Sequence, residues 1–180
     1  MIPTGKAILT KAFLTNMYKN LRQQEIFYHI CDHKIDNSIG ELFEQISKLQ
    51  KGYQLIYTPW HLQGEVNNGG YYQYFDNFEN CNDVRQPYYD LTVDYLKMIG
   101  RTKLSEDYLT HLQLYKECEK LKNSDECDSK CAECNKCEAF DKSIEDLDNA
   151  FYASEHEFIQ AIDDYIEANL DDFVSFDSTE

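Results

Sequence analysis

Three prolines and seven glycines in 180 residues are too few for the dense turns of a β-sandwich or barrel. Long apolar runs are missing as well: none approaches the ~20 residues a membrane-spanning helix needs. The opening stretch, MIPTGKAILTKAF, breaks its short apolar segment at Lys11 and carries no cleavage-site pattern, so a soluble, cytoplasmic protein is expected. Basic residues are scarce too. The 17 lysines and arginines face 33 acidic residues, a formal charge of −16, and such a chain repels phosphate polymers and anionic membrane surfaces. Direct binding to nucleic acid or membrane is therefore not expected. Phosphate loops, nucleotide fingerprints and nucleophile elbows are all absent.

What the sequence does have is apolar residues at helical spacing. At 42% apolar the chain can bury one core, and a single all-α multi-helix bundle over residues 1–180 is expected. Thr10 to Cys31 reads as one amphipathic segment, with Leu14, Met17, Tyr18, Leu21, Ile26 and Ile30 recurring at helical intervals. Ser38 and Glu41 fit a capping box ahead of a helix that Gly52 would close. Thr58 and Pro59 read as the start of the next helix, ending at Asn67 and Asn68. Tyr88, Leu91, Tyr95 and Met98 give a face that stops at Gly100, and Leu104, Tyr108, Leu112 and Tyr115 continue the pattern. Residues 121–142 lose the apolar period and read as a cysteine-rich insertion. A short helix follows, and Ser154 with Glu157 suggests a second capping box opening a last one.

The stretch EVNNGGYYQYFDNF, residues 65–78, places two glycines directly before a run of aromatics. Gly69 or Gly70 can adopt the left-handed conformation of a helix C′ position, and the other glycine allows close backbone approach. The aromatic rings then anchor a sharp corner in the core. Glu65, in a helix's last turn, opposes the macrodipole; it is expected to reach the start of the Tyr71 helix and accept backbone N–H groups, with Asn67 or Asn68 capping beside it. His61 and Glu65 lie four apart and could pair as base and acid or as two metal ligands. No third ligand or nucleophile accompanies them in sequence, so no catalytic residue and no enzymatic activity are expected.

EVNNGGYYQYF resembles the Glu-x-x-Asn-Gly-Gly-aromatic-x-Gln-aromatic-Phe signature of the bacterial DNA-mimic-protein family, carried here by Glu65, Asn67, Asn68, Gly69, Gly70, Gln73 and Phe75. LDNAFYASEHEFIQAIDDYIEANLDDF is similar to that family's C-terminal segment, and together the two suggest coverage from Leu42 to Phe173. The resemblance implies an all-helical fold, often a homodimer. It also implies one activity: presenting carboxylates where a DNA-binding protein expects phosphates.

The charge distribution bears on that expectation. Residues 1–64 hold 7 basic and 5 acidic residues, 65–140 hold 9 and 15, and 141–180 hold 1 and 13. On a wheel for the last helix Phe158, Ile162 and Ile166 take one side, while Glu157, Asp163, Asp164, Glu167 and Asp171 take the other, with Asp172 following. Carboxylates at i and i+4 stand about 6 Å apart, comparable with the phosphate repeat of a nucleic-acid strand. These six residues are the candidate surface for a basic DNA-binding protein; the alternative is a solvated face that aids solubility. Cys127, Cys131, Cys134 and Cys137 form C-x3-C-x2-C-x2-C, a spacing at which thiolates can chelate one structural zinc ion. An iron–sulfur cluster and an unliganded reduced loop remain alternatives. A metal-stapled interaction module without mimicry, or an immunity-type inhibitor of a nuclease toxin, are the competing functions.

Overall fold

The computed structural model describes residues 8–35, 42–77, 85–122 and 135–174. Their elements are α1 (Lys11–Asn16), α2 (Lys19–His33), α3 (Leu42–Lys48), α4 (Lys51–Asp76), α5 (Arg85–Met98), α6 (Thr102–Lys122), α7 (Asn135–Ala168) and a terminal 3-10 turn (Leu170–Phe173). The fold is all-α, as the helical periodicity predicts. The hub is α4, which packs against α2, α3, α5, α7 and the terminal turn, while α6 lies between α5 and α7.

The segment expected to form one helix from Thr10 to Cys31 is two. The Thr10 hydroxyl accepts from the Phe13 N–H and starts α1, but Met17 and Tyr18 are extended, with ψ 148° and 133°. Neither glycine nor proline marks this break. Leu14 on one side and Ile26 and Ile30 on the other are all fully buried, so core packing sets the bend where local propensity would continue the helix. The Ser38–Glu41 capping box lies outside the described residues.

Gly52 does not close a helix; it is the second residue of α4. A Cβ there would stand 3.0 Å from the carbonyl carbon of Asp172 and closer still to its oxygen, so the absence of a side chain lets the terminal turn dock on the start of α4. Pro59 likewise falls inside α4 instead of opening a helix, leaving the Leu55 carbonyl without its helical donor. Gly100 behaves as expected: φ is 78°, and the Arg101 N–H reaches back to the Leu96 carbonyl at 2.7 Å, the bond that terminates a helix on a left-handed C′ residue.

The core is aromatic. Tyr71, Tyr74, Phe75, Tyr88, Tyr89, Tyr108 and Phe151 are all essentially inaccessible, and their rings meet edge-on or tilted, as between Tyr71 and Phe151 (6.0 Å, 85°) and Phe75 and Tyr89 (6.0 Å, 84°). Three buried hydroxyls, those of Tyr108, Tyr74 and Thr92, are linked in series. Tyr108 donates to the Tyr74 hydroxyl (3.0 Å), which lies 3.2 Å from the Thr92 hydroxyl, and Thr92 donates to the Tyr88 carbonyl (2.9 Å). The chain joins α4, α5 and α6 and removes the cost of burying those polar atoms unpaired. At the other side of the hub Trp60 of α4 stacks on Phe27 of α2, with centroids 3.9 Å apart.

The helix α7 is longer than the sequence suggests. Residues 135–142, expected to belong to a loop, are helical, and the helix runs without a break through Ser154. The Ser154 hydroxyl donates to the Ala150 carbonyl at 2.9 Å, a mid-helix bond to the preceding turn and not a cap. Buried Ile144, Leu147, Phe151, Phe158, Ile162 and Ile166 form one stripe over about 33 Å of helix axis at 1.5 Å per residue, and that stripe carries the helix past its weak internal punctuation.

Candidate functional site

Two regions hold the residues singled out in the sequence: the glycine corner inside α4, and the outer side of α7 with the turn that follows it. At the corner the helical path breaks at Gly69 (φ −166°, ψ 21°) and Gly70 (φ 75°, ψ −178°). The chain resumes as a helix at Tyr71, whose N–H donates to Asp148 Oδ1 at 2.7 Å. The cap is thus supplied by α7, 77 positions away, and not by Glu65 or the asparagines. Asp148 is half-buried, and desolvation raises its carboxyl pKa against the opposing pull of the Tyr71 N–H.

Glu65 sits instead below the corner. Its Oε2 accepts from Gln73 Nε2 (3.0 Å) and Asn77 Nδ2 (2.6 Å), and its Oε1 lies 3.5 Å from His61 Nε2. The bond to His61 is the largest cause holding its pKa down at about 2, and the two amides add to it. His61 Nδ1 lies 2.7 Å from the Tyr88 hydroxyl, which extends the series into α5. Asn67 Nδ2 reaches Glu155 (2.7 Å), as does Gln63 Nε2 (3.0 Å), and the Tyr152 hydroxyl donates to the Val66 carbonyl (2.8 Å). Asn68 is exposed, and Phe75 is buried against Tyr115 with centroids 5.2 Å apart. Asp148, Tyr152 and Glu155 follow one another at intervals of four and three along α7 and hold both sides of the break. The signature residues therefore define a braced elbow in which polar side chains satisfy the backbone that the glycines free.

Of the six acidic residues expected to form one anionic surface, five are exposed, Glu157, Asp164 and Glu167 on α7 and Asp171 and Asp172 in the terminal turn, but Asp163 is not. Asp163 is only 5% exposed and accepts from Gln23 Nε2 at 2.8 Å; desolvation raises its pKa, opposed by Gln23 and by the charges of Lys19 and Arg22. Asp164 and Glu167 share Lys19, at 2.8 and 2.9 Å, which lowers both carboxyl pKa values and raises that of the lysine. Asp171 pairs with Lys11 (2.8 Å) and Glu157 with Arg101 (2.8 Å). Asp172 is exposed and takes a 3.4 Å contact from the Tyr165 hydroxyl. The continuous array is corrected at Asp163, because α2 packs on α7 through Gln23, with Lys19 and Arg22 beside it, and covers part of the side assigned to solvent; Lys11 and Arg101 pair with Asp171 and Glu157 from other elements.

Sequence reasoning missed the three residues of α2 because their segment read as an apolar stripe. The signal was there, since Lys19, Arg22 and Gln23 are themselves spaced i, i+3 and i+4. It missed Asp148 for a different reason: a capping partner 77 residues distant leaves no local trace. Cys127, Cys131 and Cys134 lie outside the described residues, and Cys137 lies in the first turn of α7, where its side chain is not described. Among the described residues no group of three or more His, Cys, Asp or Glu side chains is placed to hold a metal ion, and no helix is long and apolar enough to cross a membrane.

These features define an all-helical protein built around a glycine elbow braced by a long acidic helix. The family model for DMP19-like protein matches residues 47–169, from the end of α3 through α7, and the chain belongs to that family. No curated protein and no solved structure matches the chain.

Proposed function

We propose that the chain is an acidic binding protein that occupies the DNA-binding surface of a basic regulator or other DNA-binding protein. The observation that carries this reading is a set of carboxylates held at the surface on a rigid support. Glu157, Asp164, Glu167, Asp171 and Asp172 are exposed, and the elements bearing them are anchored by the fully buried Phe158, Ile162, Ile166 and Phe173. The cations that answer them are Lys11, Lys19 and Arg101, so five carboxylates face three cations. Exposed pairs of this kind add little to stability, because solvent screens them. Lysines and arginines of a partner can exchange with them at little cost.

The support is charge and rigidity, not a phosphate-like spacing, because the buried Asp163 interrupts the row. Long-range attraction between a chain of −16 and a basic protein speeds encounter and weakens with salt. The test is retention of a purified basic DNA-binding protein from the same source on the immobilised chain. Release by salt, displacement by duplex DNA, and loss of retention in the double variant Asp164→Lys, Glu167→Lys are expected. Unchanged retention in that variant, with its helical circular dichroism intact, would refute the assignment.

A further inference from the structure

The same end of the molecule carries an unusual apolar feature. Along α1 and its junction with α2 an open groove of about 360 Å³ is lined by Ala12, Phe13, Asn16, Met17 and Tyr18, large enough to receive a side chain. Tyr18 is 80% exposed, with Ile8 at 45% and Leu21 at 39% nearby in the chain. Tyr18, with the partly buried Phe13 and Met17, gives the groove an apolar lining open to solvent, and an apolar patch rimmed by charge marks an interaction site.

The rim is the acidic end of α7 together with the terminal turn. The five groove residues lie in sequence between Lys11 and Lys19, and both lysines are fixed to it: Lys11 to Asp171, Lys19 to Asp164 and Glu167. The packing of α1 on the terminal turn brings Asp171 to that edge, where it meets Lys11. Apolar centre and acidic border are thus one surface. Such an arrangement, with an aromatic-lined centre and a polar rim, is the anatomy of protein interfaces whose central side chains dominate affinity.

Resting on the function proposed above, we infer that this groove receives an apolar side chain, aromatic or branched aliphatic, that the basic partner carries between flanking lysines or arginines. Charge argues against a second copy of this chain as occupant, because an isologous contact would set one acidic border against another. It favours a cationic segment, whose flanking charges would meet Asp164, Glu167 and Asp171 as its apolar residue enters. The groove also lies wholly ahead of residues 47–169, the segment matched to the family. Acidity would then attract basic proteins in general, and the groove would select among them.

The experiment uses the full chain and two fluorescein-labelled helical peptides of equal positive charge. One has a central Leu-Phe pair between lysines and arginines, the other has serines in its place. The apolar peptide should bind about tenfold more tightly, the share expected from burying one such side chain in part. Tyr18→Ala should abolish that preference while leaving the salt dependence of both peptides unchanged; Met17→Ser should act in the same direction. Asp164→Lys with Glu167→Lys should weaken both peptides and flatten their salt dependence. Equal, salt-sensitive binding of the two peptides, or a preference that survives Tyr18→Ala and Met17→Ser, overturns the groove assignment and leaves the acidic-binder function standing. Absence of salt-sensitive binding by either peptide overturns both. A concentration-dependent dimer of the free chain that Tyr18→Ala dissociates would give the groove to a second copy and overturn the assignment as well.

Discussion

Replacing Gly70 with alanine should be among the most damaging single-methyl changes in the protein, and its neighbour Gly69 provides the control. Gly70 holds φ 75° and ψ −178°, a region essentially confined to glycine, where any other residue costs on the order of 1–3 kcal/mol. An added Cβ would also stand 2.9 Å from the Asp148 carboxyl carbon and closer to Oδ2. The carboxylate must withdraw, and the Tyr71 N–H it caps loses its partner, a further ~1–2 kcal/mol. Together these give about 2–5 kcal/mol, or a fall in melting temperature of roughly 4–20 °C for a chain of this size. Gly69, at φ −166°, lies outside the left-handed region that favours glycine. Its added Cβ would meet the Gln73 amide, which can swing aside at the expense of its bond to Glu65, about 1 kcal/mol, and would stand 3.0 Å from Gln73 Cβ, which only a small backbone shift relieves. Urea unfolding followed at 222 nm measures both variants. Because Gly70→Ala already expels Asp148, adding Asp148→Ala to it should cost clearly less than Asp148→Ala alone. Equal costs for the two glycine variants, or strict additivity with Asp148→Ala, would refute the account of the elbow.

Asp163→Asn keeps an acceptor for Gln23 and removes a charge that burial disfavours, so at neutral pH it should be neutral or stabilising by up to about 1 kcal/mol in the same unfolding assay; a loss of more than that would mean the Asp163 charge is needed by Arg22 and Lys19. The Glu65 carboxyl, held at about 2 by His61 and then by Gln73 and Asn77, has a folded pKa below its unfolded one. Its stabilisation is therefore complete above the ordinary carboxylate range near ~4.3 and is lost as pH falls from there toward about 2. With one-fifth of the side chain exposed, solvent screening brings this to about 1–2 kcal/mol. Glu65→Gln should lower stability at neutral pH by that amount and flatten its decline over that window, as read by urea midpoints at stepped pH; an unaltered acid profile would remove Glu65 from the explanation. Asp148 and Asp163 have raised folded pKa values and act with the opposite sign, gaining stability as acid protonates them, so the comparison is of variant with parent and not of absolute curves.

The helical class was legible because the apolar spacing of α5 and α6 is regular and Gly100 stops α5 by chemistry that is local in sequence. The elbow was legible for the same reason: two glycines ahead of Tyr71 can hardly do anything but turn. What surrounds it was not. Glu65 looked like a cap because it is near Tyr71 in sequence, whereas the cap is Asp148, which three-dimensional packing brings there. The outer side of α7 misled in a related way. A helical wheel divides apolar from charged, and Asp163 fell on the charged side, but the wheel does not show that α2 arrives with Gln23 and Arg22 to cover it. Breaks without glycine or proline, as at Met17, and helices continuing through serine, as at Ser154, were hidden because burial outweighed local preference at both.

Trp60 is the only tryptophan in the chain, and its face-to-face packing on Phe27 lies where the N-terminal helices meet the family segment. Its emission is therefore an intrinsic optical readout of that single seam. Should α2 peel away while the tyrosine-rich interior stays intact, the indole band would shift toward longer wavelength before the helical signal changed, resolving two stages of disassembly without any label.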